Sequence, residues 1–131
     1  MKRILVIDDE EQIRSMLRMM LEDAGYEVED ASDGNIGIMV FREKPADVII
    51  IDILMPEKEG IETIMELRQD FPGIKIIAIS GGGRFKSPTT FLTMAEHFGA
   101  DRTFTKPIDR DALLSAVQEL LGPKVSQDFL L

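Results

Sequence analysis

The sequence predicts an α/β fold in which a parallel five-stranded sheet carries helices on both faces. Three observations predict it. The runs Ile4–Ile7, Val48–Ile51 and Ile74–Ile79 are short and apolar without alternation, the pattern of strands buried on both faces. The stretches between strands place apolar residues at helical spacing. Strand and helix patterns alternate along the chain, which calls for crossover connections and therefore a parallel sheet.

The elements follow in order. Ile4–Ile7 runs directly into Asp8-Asp9. Ile13, Met16, Leu17, Met20, Leu21 and Ala24 then form one apolar helical stripe. Asp9, Glu10 and Glu11 stand at its start, where negative charge suits the helix dipole, and Gly25 closes it. Tyr26–Ala31 is a more exposed strand, and Asp33-Gly34 marks a turn. Ile36–Lys44 reads as a helix with Ile38 and Phe41 inward. Gly37 within it costs helix stability, so close packing is the expected reason for it. Pro45 stops the helix.

Val48–Asp52 is the central strand. Glu57–Gly60 is a loop, and Ile61, Ile64, Leu67 and Phe71 give a third stripe, ended by Pro72-Gly73. Ile74–Ile79 ends on Ser80. Phe91, Met94, Ala95 and Phe98 give a fourth stripe, ended by Gly99. Arg102–Thr105 is a short strand before Lys106-Pro107. Asp109 is a candidate N-cap for a last helix carrying Leu113, Leu114, Val117, Leu120 and Leu121, which Gly122-Pro123 ends. The expected domain is residues 1–122, with an unassigned tail at 123–131.

The chain has 131 residues, 44% hydrophobic and 30% charged, a balance that suits one globular domain. A net charge of −9 argues against direct DNA binding, which needs a basic surface. No cysteine is present, excluding disulfides and thiolate metal sites. The apolar run after Met1-Lys2-Arg3 is too short for a signal peptide, and no stretch approaches membrane-spanning length. The cytoplasm is the expected location by default. Single His97 reads as a surface residue, and the eight methionines as core fillers.

The chemistry gathers at strand ends. In open α/β sheets, ligands bind outside the carboxyl ends of the strands. There the chain places Asp8, Asp9, Asp52, Ser80 and Lys106. Three crowded carboxylates repel one another, and a hard divalent cation, Mg²⁺ or Mn²⁺, would relieve this. With a lysine and a hydroxyl added, such a site can hold a phosphoryl group, and Asp52 can attack in line to form an aspartyl phosphate.

Asp8-Asp9, Asp52 followed by Met55-Pro56 and Gly60, Ser80 and Lys106-Pro107, in this order, resemble the receiver domain of bacterial two-component response regulators, of the stand-alone type. The resemblance implies a flavodoxin-like sheet in the order 2-1-3-4-5. It implies that Asp52 accepts a phosphoryl group from a sensor histidine kinase or a phosphotransfer protein. Asp9, Asp52 and the backbone carbonyl of Leu54 would ligate Mg²⁺, with Asp8 acting through water. Ser80 and Lys106 would contact phosphoryl oxygens. Ser80 would shift toward the phosphate, and a side chain three residues before the lysine would move with it. That residue is Thr103 here, not an aromatic, and neighbouring Phe104 points to the opposite face. The output is a protein-interaction surface read by an unidentified downstream protein, with the chain a monomer or a phosphorylation-dependent dimer. Glu96, Asp101, Arg102 and Arg110 are charges available to a dimer face.

The segment after Ser80, beginning Gly81-Gly82-Gly83, is longer than usual for the family. It reads either as a flap over the site or as a tolerated surface insertion. Leu54 offers nothing to orient attacking water, so slow self-dephosphorylation is expected. The alternatives are a metal-dependent phosphohydrolase, which usually carries an acid where Leu54 stands, and a non-phosphorylated pseudo-receiver, against which the intact acid set argues. No output domain follows the last helix, so the chain either acts by protein contacts or is a fragment.

Overall fold

The computed structural model of the protein describes residues 1–53, 60–81 and 88–122, the side chains of 88–92 excepted. The expected Leu54 carbonyl, Met55-Pro56, the loop beyond Gly81 and the 123–131 tail lie outside the described residues. Five strands and five helices alternate: β1 (Arg3–Ile7), α1 (Glu11–Asp23), β2 (Glu27–Ala31), α2 (Gly34–Glu43), β3 (Val48–Asp52), α3 (Gly60–Asp70), β4 (Lys75–Ser80), α4 (Pro88–Phe98), β5 (Arg102–Thr105) and α5 (Arg110–Leu121). All neighbouring strands pair in parallel, in the order β2-β1-β3-β4-β5. No described helix is long and apolar enough to cross a membrane.

The apolar runs explain the layering. Side chains alternate across a strand, so each run feeds two cores. Leu5, Ile7, Ile49, Ile51, Ile76 and Ala78 pack with α2, α3 and α4 on one face. Ile4, Val6, Val48, Ile50, Ile77 and Ile79 pack with α1 and α5 on the other. Every residue of β3 is buried, as a central strand requires.

Local chemistry sets the element ends. Asp33 caps α2, its carboxylate accepting from Ile36 N–H at 2.9 Å. The expected Asp33-Gly34 turn is therefore the start of a helix, because the cap satisfies an N–H that a turn would leave free. Asp109 caps α5, accepting from Asp111 N–H at 3.1 Å. Gly25, at φ 96°, takes the left-handed position beyond α1.

Gly37 has the packing reason expected of it, since a Cβ there would overlap the end of Ile7. The helix lies directly against β1.

The methionines depart from expectation. Met20 is buried, whereas Met16, Met19, Met39, Met65 and Met94 are exposed. Ala24 is exposed too. The stripe that α1 buries is narrower than its periodicity suggests, Leu17, Met20 and Leu21, because one sheet face covers only part of a helix's circumference. His97 is exposed, its ring edge-on to Phe98.

Candidate functional site

The C-terminal ends of β1, β3 and β4 and the residue after β5 meet at one edge. The register aligns them: Ile7 pairs with Ile51, Asp52 with Ile79, and Ser80 with Thr105. The ladder runs one step further on either side. Asp8 N–H donates to Ala31 C=O at 3.1 Å, and Lys106 N–H donates to Ser80 C=O at 2.9 Å.

At this edge Lys106 bridges three carboxylates. Its Nζ lies 3.2 Å from Asp52 Oδ2, 3.1 Å from Asp8 Oδ2 and 3.3 Å from Glu10 Oε1. Asp8 and Ser80 are fully buried and Asp52 nearly so. Asp9 is exposed. Carboxylate oxygens of Asp8, Asp9, Glu10 and Asp52 all lie within 4.8 Å of one another.

The electrostatics follow from burial. Desolvation pushes the Asp8 carboxyl above its ordinary value; the Glu10 N–H bond and the Lys106 charge offset this only in part, and Asp9 adds repulsion. Burial alone would lower the Lys106 ammonium, but the charges of Asp52 and Asp8 outweigh it and hold the group firmly protonated. Asp8 Oδ1 accepts from Glu10 N–H at 2.9 Å. Among the described residues, buried Asp8 Oδ2 accepts no hydrogen bond. The Lys106 ammonium stands 3.1 Å from it as an ion pair. A buried carboxylate oxygen clustered with three further acids suits a hard divalent cation.

Gly60 fixes the approach from α3. Its N–H donates to Ile53 C=O at 3.2 Å, and a Cβ there would overlap the backbone of Asp52 and Ile53. Only glycine allows the helix to sit this close behind the acid.

Thr103 pairs with Ala78 and is half-buried on the α4 face. Phe104 packs into the α1/α5 core, so it does not substitute for an aromatic at position 103.

Sequence reasoning missed Glu10 and Arg14 at this edge. Glu10 reads in sequence as a helix-dipole acid, and only its direct succession to Asp8-Asp9 hints at more. Arg14 carries no sequence signal; its guanidinium donates to Asp8 C=O at 2.8 Å.

The family model of the response regulator receiver domain matches residues 4–118. The chain is 29% identical over 120 residues to the chemotaxis protein CheY of Halobacterium salinarum, covering 92% of this chain and 97% of that protein. It is 36% identical over 116 residues to the CAI-1 autoinducer sensor kinase/phosphatase CqsS of Vibrio cholerae, covering 88% of this chain but 17% of that protein. Curated transcriptional regulatory proteins that it matches are spanned for about half their length. Among solved structures, the response regulator TrrA of Thermotoga maritima in complex with Mg²⁺-BeF superposes with a TM-score of 0.80 at 32% identity, covering 92% of this chain and 99% of that one.

Proposed function

This chain belongs to the response regulator receiver domain family, and on that footing we propose that it is a phosphorylation-controlled switch whose acceptor is Asp52. Receiver domains act as phospho-switches rather than as conventional enzymes. The observation that carries the reading is Lys106 held against Asp52 and Asp8 at the carboxyl edge of the sheet.

The residues present fit Mg²⁺: the buried Asp8 carboxylate and the acids clustered with it supply hard oxygen donors, and TrrA was solved with Mg²⁺-BeF. Asp9, Asp52 and the Leu54 carbonyl would hold the ion, with Asp8 through water. When bound, it would offset charge on the phosphoryl oxygens.

A carboxylate oxygen of Asp52 attacks the phosphorus of a phosphohistidine on a sensor kinase or phosphotransfer protein. The new P–O bond forms as the P–N bond breaks, and the departing imidazole takes up a proton. Lys106 exchanges carboxylate partners for a phosphoryl oxygen, and the Ser80 hydroxyl supplies a second contact. Ser80 and Thr103, two rungs apart on the α4 face, would pass the change to a surface that a downstream protein reads. The switching unit is residues 1–122.

The test is intact mass after incubation with Mg²⁺ and a small-molecule phosphodonor. One added phosphoryl group is expected, absent in Asp52→Asn and in chelator, and slow to disappear because Leu54 leaves attacking water without an orienting group. No adduct with several donors overturns the proposal. Sustained phosphate release without an adduct points to a hydrolase instead.

A further inference from the structure

The geometry points to Arg14 as a positioning residue that sets the Asp8–Asp9 acid pair for metal binding; this rests on the proposed reading of the acid pocket as a Mg²⁺ site. The β1–β2 pairing ends at Ile7 and Ala31. Asp8 makes one further bond through its N–H, and the chain then leaves the sheet. Its carbonyl has passed the last paired rung, and Arg14 Nη1 takes it at 2.8 Å.

The peptide bond is planar. The Asp8 carbonyl and the Asp9 amide therefore move as one rigid unit, and holding the carbonyl also holds the Cα of Asp9. That matters because Asp8 and Asp9 carry like charges next to each other, and Asp9 is exposed. A free peptide could rotate to carry the Asp9 carboxylate away from the cluster.

Arg14 is itself held. Its Nε lies 3.9 Å from Asp30 Oδ1, and its side chain is only 17% exposed. The other oxygen of Asp30 accepts from Arg18 Nε and Nη2, each at 3.3 Å, and Arg18 also donates to Val28 C=O at 2.8 Å. A chain of contacts thus runs from β2 through Asp30 and Arg14 to the acid pocket. Groups that orient metal ligands from behind commonly govern affinity by about 10- to 100-fold.

A purely electrostatic role for Arg14 gives the opposite sign. Removing a cation beside the acids would tighten Mg²⁺ binding, whereas removing a positioning group weakens it. The experiment is a Mg²⁺ titration of the full chain followed by the backbone amide shifts of Asp9 and Glu10, with the metal-free melting temperature recorded for each variant. Arg14→Met is expected to bind Mg²⁺ about 10-fold more weakly. Asp30→Asn, which loosens Arg14 without removing it, is expected to bind about 3-fold more weakly, on the order of a partial loss of the same orienting contact. Arg3→Met, which loses the ion pair with Glu27 at the opposite end of β1, is the control for stability alone: a lower melting temperature at unchanged Mg²⁺ affinity is expected.

Unchanged or tighter binding in Arg14→Met overturns the inference. If that variant does not fold, unchanged binding in Asp30→Asn overturns it. Weaker binding in Arg3→Met in proportion to its lost stability also overturns it, because affinity then follows stability. A wild-type chain that shows no Mg²⁺-dependent shift rejects the metal-site reading itself, a result distinct from all of these.

Discussion

Asp8 shows how a residue can be costly to the fold and useful to the site. Its carboxyl is raised above its ordinary value of 3.8, first by burial. A carboxyl raised in the folded state binds its proton more readily there than in the unfolded chain. The stability it contributes is therefore fully present below about 3.8 and lost as pH rises through its higher folded value. The ionised carboxylate is the form that burial penalises. Asp8→Asn is accordingly expected to raise the melting temperature in chelator at neutral pH and to flatten the fall in stability above pH 4. An unchanged or lower melting temperature would show that the Lys106 ion pair outweighs desolvation. Lys106 retains Asp52 and Glu10 in that variant, which is why desolvation is expected to win.

At the scale of elements, the contact between α2 and β1 is set by a missing side chain. Gly37 lets the helix lie against Ile7. Alanine there gains up to about 1 kcal/mol of helix propensity, but overpacking costs about 1–3 kcal/mol, so Gly37→Ala should destabilise. Ile7→Ala removes every side-chain atom that a new Cβ would overlap. In the Ile7→Ala background Gly37→Ala should be neutral or stabilising, and urea unfolding of the double-mutant cycle measures that coupling. Equal effects in both backgrounds would sink the argument. Gly60 differs, because it meets the backbone of Asp52 rather than a side-chain tip, and no neighbouring substitution can make room.

Across the whole molecule, the acid cluster joins the connection between β1 and α1 to the end of β3, which the unfolded chain does not hold together. A cation binding there stabilises the entire domain by linkage. With free Mg²⁺ at about 100 times its Kd, the gain is about 2.7 kcal/mol, a rise of roughly 10 °C in melting temperature for a domain of this size. Calorimetric scans over a Mg²⁺ series check this, and the rise should vanish in Asp52→Asn combined with Asp8→Asn. Two charges considered for a dimer face are already engaged within the chain: Asp101 pairs with Arg68 and Arg102 with Glu119.

The sequence alone determined the order of strands and helices and the acids at the strand ends. Runs such as Val48–Asp52 carry a signal that depends only on neighbouring residues, and apolar continuity forces burial on both faces wherever such a strand lies. The sheet order came only through the family resemblance, since alternation leaves several arrangements open. The tertiary structure alone decided which groups meet. Glu10 reaches Lys106 across 96 positions of sequence, and Arg14 reaches a carbonyl that no periodicity marks. It likewise decided that Met16 and Met94 face outward, because how much of a helix is covered depends on its neighbours and not on its own stripe. Local patterns are written in consecutive residues; the bridging of Asp52 and Asp8 by Lys106 exists only once crossover connections have brought three strand ends to the same edge.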